Sequence, residues 1–445
     1  MKRVYLETFG CQMNQLDSQL VQGRLMEAGY ESCDAPEQAD LILFNTCSVR
    51  RHAEKKVLSR LGMLKALKEQ RSGLIIGVMG CMAQACADEI RRTAPHVDLI
   101  IGTRQLGNVL EAIEETRSTG RPAVRLSEDG DLSDLLAGPH PRSSRFSAYV
   151  SVMRGCDNFC SYCIVPYVRG REFSRPMDEI VDEVRRLVDE GVIEVTLLGQ
   201  NINSYGKGVP EASLARLLER LGGIEGLRWI RFITSHPRDM TDELLTTMAE
   251  VEAVIEYLHL PAQSGSNSIL KAMNRGYTRA HYLGILERAC RLMPELVIAG
   301  DFIVGFPGET ERDFEESVSL METVRYTNCF IFKYSARPGT TAASLPDDVS
   351  VPVKKERNRR LLELQERIST EDNARRVGRT YDVLVEGPSK RNSSHYSGRT
   401  RGNQICIIGQ RPDLVGRIVP VRITRTTALA LYGDVVESVS AGASE

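Results

Sequence analysis

The chain has 445 residues, 42% of them hydrophobic and 26% charged, with a net charge of −2. That balance belongs to a folded globular protein of roughly two to four domains and excludes a disordered one. No run of about 18 apolar residues occurs, and the start, MKRVYLETFGCQMNQ, turns polar before a signal-peptide core develops, so neither a membrane span nor secretion is expected. In the reducing cytoplasm where such a chain is expected, its eleven cysteines read as metal or catalytic sites and not as disulfides.

Residues 1–118 alternate apolar runs with amphipathic stretches. The runs 3–9, 41–45, 74–80 and 98–102 predict strands buried on both faces, and helical patterns fall at about 14–28, 51–69, 82–93 and 105–118. This βαβα order predicts an open parallel sheet with helices on both sides. Cys11 (TFGCQMN), Cys47 (FNTCSVR) and Cys81 (VMGCMAQ) each follow a strand by one or two residues. Ligands of open α/β sheets bind beyond the carboxyl ends of the strands, so three distant cysteines are expected at one edge. The ordinary alternative is three unrelated buried cysteines, and the shared position after successive strands argues against it.

Residues 119–145, rich in Gly, Pro, Ser and Asp without a period, read as a linker. From 146 a second alternation begins, with strands expected at 146–153, 193–199, 229–234, 255–260, 297–305 and 329–335. The clearest helix is 178–190, where Ile180, Val181, Val184, Leu187 and Val188 form one stripe. Six β/α repeats predict a partial wheel of parallel strands, short of the eight of a complete barrel. A charged helix follows at about 351–373. The tail, about 376–440, breaks into short β-rich runs and predicts a small antiparallel barrel of the oligonucleotide-binding kind. Residues 375–425 carry eleven Lys or Arg against three acids, a net +8 that leaves −10 for the remainder. A basic module on an acidic protein points to a polyanion, nucleic acid first, although a charged soluble rim has the same composition.

The strongest local signal is Cys156, Cys160 and Cys163 in RGCDNFCSYC. Three thiolates hold an iron–sulfur cluster and leave one iron open, whereas structural zinc takes four protein ligands. Gly155 lets the loop turn beside the metal, and Tyr162 is placed to pack against a bound nucleoside. This motif resembles the signature of the radical S-adenosylmethionine (SAM) superfamily. The resemblance implies that the open iron binds SAM and that one electron cleaves it to a 5′-deoxyadenosyl radical.

Other segments extend the resemblance. Gly199, Gln200 and Asn201 of LLGQNIN end the second strand, where the polar end of SAM is expected; Gln263 and Ser264 lie in HLPAQSGS after the fourth. Gly305 of DFIVGFPGET matches an element that supports the adenosine, although its first position is Asp301. His236 and His259 fall at strand ends facing the same place, either supporting the residues that touch a ligand or as ordinary core histidines. Arg169, Arg171 and Arg175 read either as anion holders or as a solvated basic loop. Cys33, Cys86, Cys290, Cys329 and Cys406 read as packing residues.

An N-terminal three-cysteine α/β domain (1–118), a radical SAM core (146–375) and a basic β-barrel tail (376–440) together resemble the methylthiotransferases across essentially the whole chain. The resemblance implies two [4Fe-4S] clusters, the second on Cys11, Cys47 and Cys81 and concerned with sulfur, and a tail that is an RNA-binding TRAM domain. GCQMN, NTCSVR and YCIVPYVRGREFSRP look most like the branch that converts N6-dimethylallyl-adenosine near the tRNA anticodon to its 2-methylthio derivative. Branches acting on a ribosomal-protein aspartate or on threonylcarbamoyl-adenosine tRNA read closer to GCPKN with NTCGFI and to GCKxN with NTCxVT. A non-enzymatic iron–sulfur RNA-binding protein is the remaining alternative class. The implied partners are tRNA, SAM and an electron donor such as flavodoxin or ferredoxin, with no membrane and a monomeric enzyme. An adenine ring C–H bond resists acid–base catalysis, so the cofactor has to supply a radical. Both open irons are therefore expected to face one cavity, which the base enters by leaving its stack.

Overall fold

The computed structural model describes residues 2–48, 51–127, 129–130, 132–138 and 140–436. Its first part is a wholly parallel sheet of β1 (Lys2–Phe9), β2 (Tyr30–Ser32), β3 (Leu41–Thr46), β4 (Ile75–Met79), β5 (Leu99–Ile101) and β6 (Ala123–Arg125), in the order β2-β1-β3-β4-β5-β6. Helices α1 (Gln12–Glu27), α2 (Arg51–Gln70), α3 (Cys81–Thr93) and α4 (Val109–Thr119) make the crossovers. Successive residues of β3 serve opposite layers, as a period of two demands. Leu41 and Leu43 pack with Leu16, Leu20 and Ile113, while Ile42 and Phe44 pack with Val57, Leu61 and Ile90.

Two strands escape the sequence pattern. β2 and β6 are three-residue edge strands whose polar residues, Glu31, Ser32 and Arg125, leave no apolar run. β6 lies inside the segment read as a linker, and so does helix α5 (Ser133–Ala137). Leu132, Leu135 and Leu136 around that helix are buried in the same layer as Leu16 and Leu20.

The second part contains β7 (Ser147–Ser151), a short antiparallel pair β8 (Met153–Arg154) and β9 (Phe173–Ser174), then β10 (Glu194–Leu198), β11 (Trp229–Ile233), β12 (Tyr257–His259), β13 (Val297–Val304) and β14 (Asn328–Lys333). β7, β10 and β11 pair in parallel, as do β12, β13 and β14. A single bridge between Ile230 and Val254 joins the two halves, so the six main strands form a partial (β/α)6 wheel. Around it run α6 (Val165–Arg169), α7 (Met177–Asp189), α8 (Leu214–Gly222), α9 (Asp242–Glu250), α10 (Asn267–Ala272), α11 (Arg279–Leu292) and α12 (Glu311–Val324). The long α13 (Val351–Ala374) buries Leu361, Leu364 and Ile368 in the same core before the chain leaves it.

The tail closes into a five-stranded barrel of β15 (Thr380–Pro388), β16 (Tyr396–Thr400), β17 (Ile405–Ile408), β18 (Ile418–Thr426) and β19 (Leu431–Val435), in the order β15-β16-β17-β19-β18. The expected all-antiparallel pairing is corrected at one place: β17 and β19 run parallel. A closed ring with an odd number of strands cannot alternate direction throughout, so one parallel pair is required. Leu384 of this barrel packs with Trp229, Ile255, Tyr257 and Val297, at the amino-terminal ends of the wheel strands. Arg401 adds hydrogen bonds of 2.7 and 2.9 Å to Glu256. The barrel therefore sits opposite the carboxyl ends, where ligands of such wheels bind.

Candidate active site between two cysteine triads

The three similar cysteine settings have a common cause. β1, β3 and β4 are neighbours, and Cys11, Cys47 and Cys81 follow their carboxyl ends. Asn14 and Asn45 bind each other there, with Asn14 Nδ2 donating to Asn45 Oδ1 at 2.9 Å and Asn45 Nδ2 to the Asn14 carbonyl at 2.8 Å. A Cβ on Gly80, which has φ of +91°, would stand 2.3 Å from Asn45 Oδ1, so only glycine lets the third turn close on this pair. The asparagines and the glycine of the motifs thus bring the cysteines together. Cys11 is the N-cap of α1 and Cys81 is the first residue of α3, and helix N-termini favour thiolates. A hydrogen bond with Cys47 is the main cause that lowers the Cys11 thiol to about 6, while burial raises that of Cys81.

The compact triad sits in a loop pinned from several sides. Ser161 donates from its backbone N–H to the Met273 carbonyl at 3.0 Å and from its hydroxyl to that of Ala272 at 2.8 Å, and its own carbonyl accepts from Ala342 at 2.7 Å. Gln200 Oε1 accepts the Gly155 N–H at 2.5 Å. Burial pushes the Cys156 and Cys163 thiols up to about 12, so protons leave as a metal binds. Arg275, unnoticed in the sequence, is buried beside this triad. Its Nη1 lies 3.3 Å from Cys160 Sγ and 3.4 Å from the Tyr162 hydroxyl. Among the described residues no group of three His, Cys, Asp or Glu converges tightly enough for a single metal ion. A cubane takes its thiolates on separate irons and so asks for a wider set than a single ion does.

Gln200, which accepts the Gly155 N–H at the start of the compact triad's loop, also stands on the wall of a cavity at the dispersed triad. This cavity of about 160 Å³ is lined by Cys11, Cys47 and Cys81 on one side and by Gly199, Gln200 and Thr234 on the other. Thr234, also unnoticed in the sequence, has φ of +73°, a costly backbone for a β-branched residue and one that functional sites often hold. Asp17 of α1 ties the two parts together beside this cavity: Arg169 Nη2 donates to its Oδ2 at 3.0 Å, and Arg154 Nη2 pairs with Oδ1 at 2.8 Å.

Several expected contacts take other partners. Asn201 Nδ2 donates to Asp239 at 2.8 Å, and the Ser264 hydroxyl faces that of Ser317 at 3.4 Å, turned into α12. The Gly305 N–H donates to Glu309 at 2.6 Å, and Gln263 bonds through its backbone to Asp301 and Ile303. Arg169 is buried on Asp17 and Arg175 on Glu183, so neither is the free anion holder of the sequence reading; Arg171 is exposed beside Asp157. Cys290 is exposed and is no packing residue. What remains at the carboxyl ends of β10 and β11 is a set of buried polar atoms with no hydrogen-bond partner among the described residues, Asn201 Oδ1, Ser235 Oγ and His236 Nε2, while His259 Nε2 at the end of β12 lies 3.5 Å from Asp301 Oδ1. Unsatisfied atoms of this kind cost about 1–3 kcal/mol each, which a polar ligand would recover. His236 Nδ1 accepts the Arg238 N–H, and burial keeps the ring neutral, so its Nε2 carries a proton to donate.

Residues 3–102 match the model of Uncharacterized protein family UPF0004, residues 150–321 that of the Radical SAM superfamily, and residues 374–436 that of the TRAM domain. The chain is 48% identical to tRNA-2-methylthio-N(6)-dimethylallyladenosine synthase of Moorella thermoacetica, over 97% of each protein. It is 47% identical to the protein of that name from Syntrophotalea carbinolica, over 95% of this chain and 97% of that one. Among solved structures it resembles the radical SAM methyltransferase TsrM of Kitasatospora setae, with a TM-score of 0.53 and 14% identity over 77% of both chains. The cobalamin-dependent SAM radical enzyme OxsB also gives 0.53, over 81% of this chain and 56% of that one. At such identity these two speak for the fold alone.

Proposed function

The chain belongs to the family of tRNA-2-methylthio-N(6)-dimethylallyladenosine synthases, and from that premise and the site we propose how its residues divide the reaction. The enzyme exchanges a C–H bond of the adenine ring of N6-dimethylallyl-adenosine in tRNA for C–SCH3, using SAM and two [4Fe-4S] clusters. Cys156, Cys160 and Cys163 would hold the cluster that binds SAM, and Cys11, Cys47 and Cys81 the other. Once bound, these groups supply the carbon radical that breaks the ring C–H bond and the sulfur that replaces it.

The protein's own work is to bind, orient and exclude water. Asn201 Oδ1, Ser235 Oγ and His236 Nε2 would offer polar atoms to SAM, with His259, beside Asp301, at the neighbouring strand end. Gly199, Gln200 and Thr234 would meet the target base in the cavity that also reaches the first triad. The cavity on the dispersed triad, whose Gln200 wall also holds the Gly155 N–H of the compact triad's loop, is the observation that carries the proposal, because both groups must act on one base. Tyr162, fixed by Arg275, would flank the nucleoside of SAM, whereas Gln263, Ser264 and Gly305 would support its pocket through the backbone and neighbouring helices.

We assign residues 1–118 to sulfur handling, 146–375 to SAM cleavage and 376–440 to tRNA contact. The electron would come from a protein donor of the flavodoxin or ferredoxin type. The protein would act as a cytoplasmic monomer, since both triads and the cavity lie in one chain; no helix among the described residues is long and apolar enough to cross a membrane. Mass spectrometry of tRNA from a strain lacking this gene tests the reading. Isopentenylated adenosine without its 2-methylthio group is expected, restored by the wild-type gene and not by one with Cys11→Ala; persistence of the group in the deletion strain would overturn it.

A further inference from the structure

Each cysteine triad has one buried arginine beside it, and neither arginine has a carboxylate to itself. Arg275 is 4% exposed, and its guanidinium reaches Cys160 Sγ, the hydroxyls of Tyr162 and Tyr277 and the Pro261 carbonyl. None of these is a carboxylate, and no ion pair to Asp or Glu forms among the described residues. At the other triad Arg154 and Arg169 share the single carboxylate of Asp17, which leaves one positive charge over. Arg169 is the member that lines the same cavity as Cys11, Cys47 and Cys81. A guanidinium stays protonated in a protein, and a buried charge without a counter-charge is strongly unfavourable. The folded chain therefore holds one surplus cation at each triad, on Cys160 sulfur at the compact one and on the cavity wall at the dispersed one.

We infer that Arg275 and Arg169 are paired charge-compensating residues, one for each iron–sulfur cluster, and that each raises the reduction potential of its own cluster. This rests on the assignment of the six cysteines proposed above. The physical reason is direct: a cluster on thiolates is anionic, and nearby positive charge or an N–H aimed at sulfur eases the addition of an electron. The two sites are not equal. Arg275 lies among neutral groups, whereas Arg169 is partly neutralised by Asp17, so the stronger effect belongs to Arg275.

The test is an EPR-monitored redox titration of the anaerobically reconstituted full-length protein, comparing wild type with Arg275→Gln and Arg169→Gln. SAM addition marks the compact-triad cluster by the response of its signal. Arg275→Gln is expected to lower the midpoint of the SAM-responsive cluster and leave the other in place. Arg169→Gln is expected to do the reverse, by a smaller amount. Midpoints that stay put, or that move together in either variant, would overturn the inference. Should a glutamine variant lose iron from its triad, the lysine variant decides: iron retained supports a charge role, and a loss equal to that of glutamine refutes it. Wild-type protein with about four irons per chain in place of about eight would instead defeat the cluster assignment itself.

Discussion

A Cβ on Gly155 would stand 2.0 Å from the carbonyl oxygen of Arg171 and 2.6 Å from that of Gly170, in a backbone with φ of +79°. Both obstacles are backbone, so the loop and not a side chain must give way. That loop also donates its Gly155 N–H to Gln200 and begins the compact triad. Gly155→Ala is therefore expected to halve the iron of the reconstituted protein, from about eight to about four per chain, with the dispersed triad still loaded. Iron and protein assays on the purified variant decide it. The compact triad was readable because its chemistry is written in eight consecutive residues. The dispersed triad was readable only through strand counting, and the asparagine pair and Gly80 that assemble it are meaningful only in space. Arg275 and Thr234 left no sequence signal, since what distinguishes them is burial without a carboxylate and a left-handed backbone.

At the scale of elements, α12 holds the loop that carries Gln263 and Ser264. Thr310 caps the helix in a reciprocal box with Asp313, and Asp313 also accepts from the hydroxyls of Ser266 and Ser268 across the gap to α10. Partial burial alone would raise the Asp313 carboxyl, but the hydroxyls of Ser266, Ser268 and Thr310 and the Thr310 N–H outweigh it and hold it at about 2. An ordinary unfolded aspartate titrates near 3.9, so the stabilisation is present above about pH 4 and is lost as pH falls through about 2. The group is largely solvated, which holds its worth to about 1 kcal/mol. Asp313→Asn is expected to lower the urea midpoint at neutral pH, with the gap from wild type closing as pH drops from about 5 toward 3. A gap independent of pH would mean that the charge of Asp313 does not act. The sequence placed Ser264 beside SAM because its motif sits at a strand end. The structure turns it into this network because Gly265 packs against the α12 backbone, where a Cβ would meet the Glu316 carbonyl oxygen at 2.2 Å. The long periodic elements were legible throughout, whereas three-residue strands such as β2 and β6 owe their existence to neighbours and not to pattern.

For the whole molecule, the position of the C-terminal barrel matters more than its overall charge. Of the eleven basic residues between 375 and 425, Arg375, Arg379, Arg399, Arg401 and Arg411 pair with carboxylates, and Arg401 fastens the barrel to Glu256 of the wheel. Lys390, Arg391, Arg417, Arg422 and Arg425 are exposed and form no carboxylate pair among the described residues. Deleting the tail would therefore confound two effects, because it would also uncover Trp229, Ile255 and Val297 at the base of the wheel. Replacing Arg417, Arg422 and Arg425 with alanine removes the charge and leaves Leu384 and Ile418 to keep the barrel docked. If these side chains meet phosphates, tRNA affinity falls, and the slope of log affinity against log salt flattens by about 0.7 to 0.9 per lost contact. A fluorescence-anisotropy salt series on the triple variant measures both. The iron content should stay at the wild-type value, since the barrel lies on the opposite side of the wheel from the cysteines. Loss of affinity with an unchanged salt slope would show that the barrel serves the wheel as a structural base, and that the tRNA is held chiefly by the face that carries the two triads.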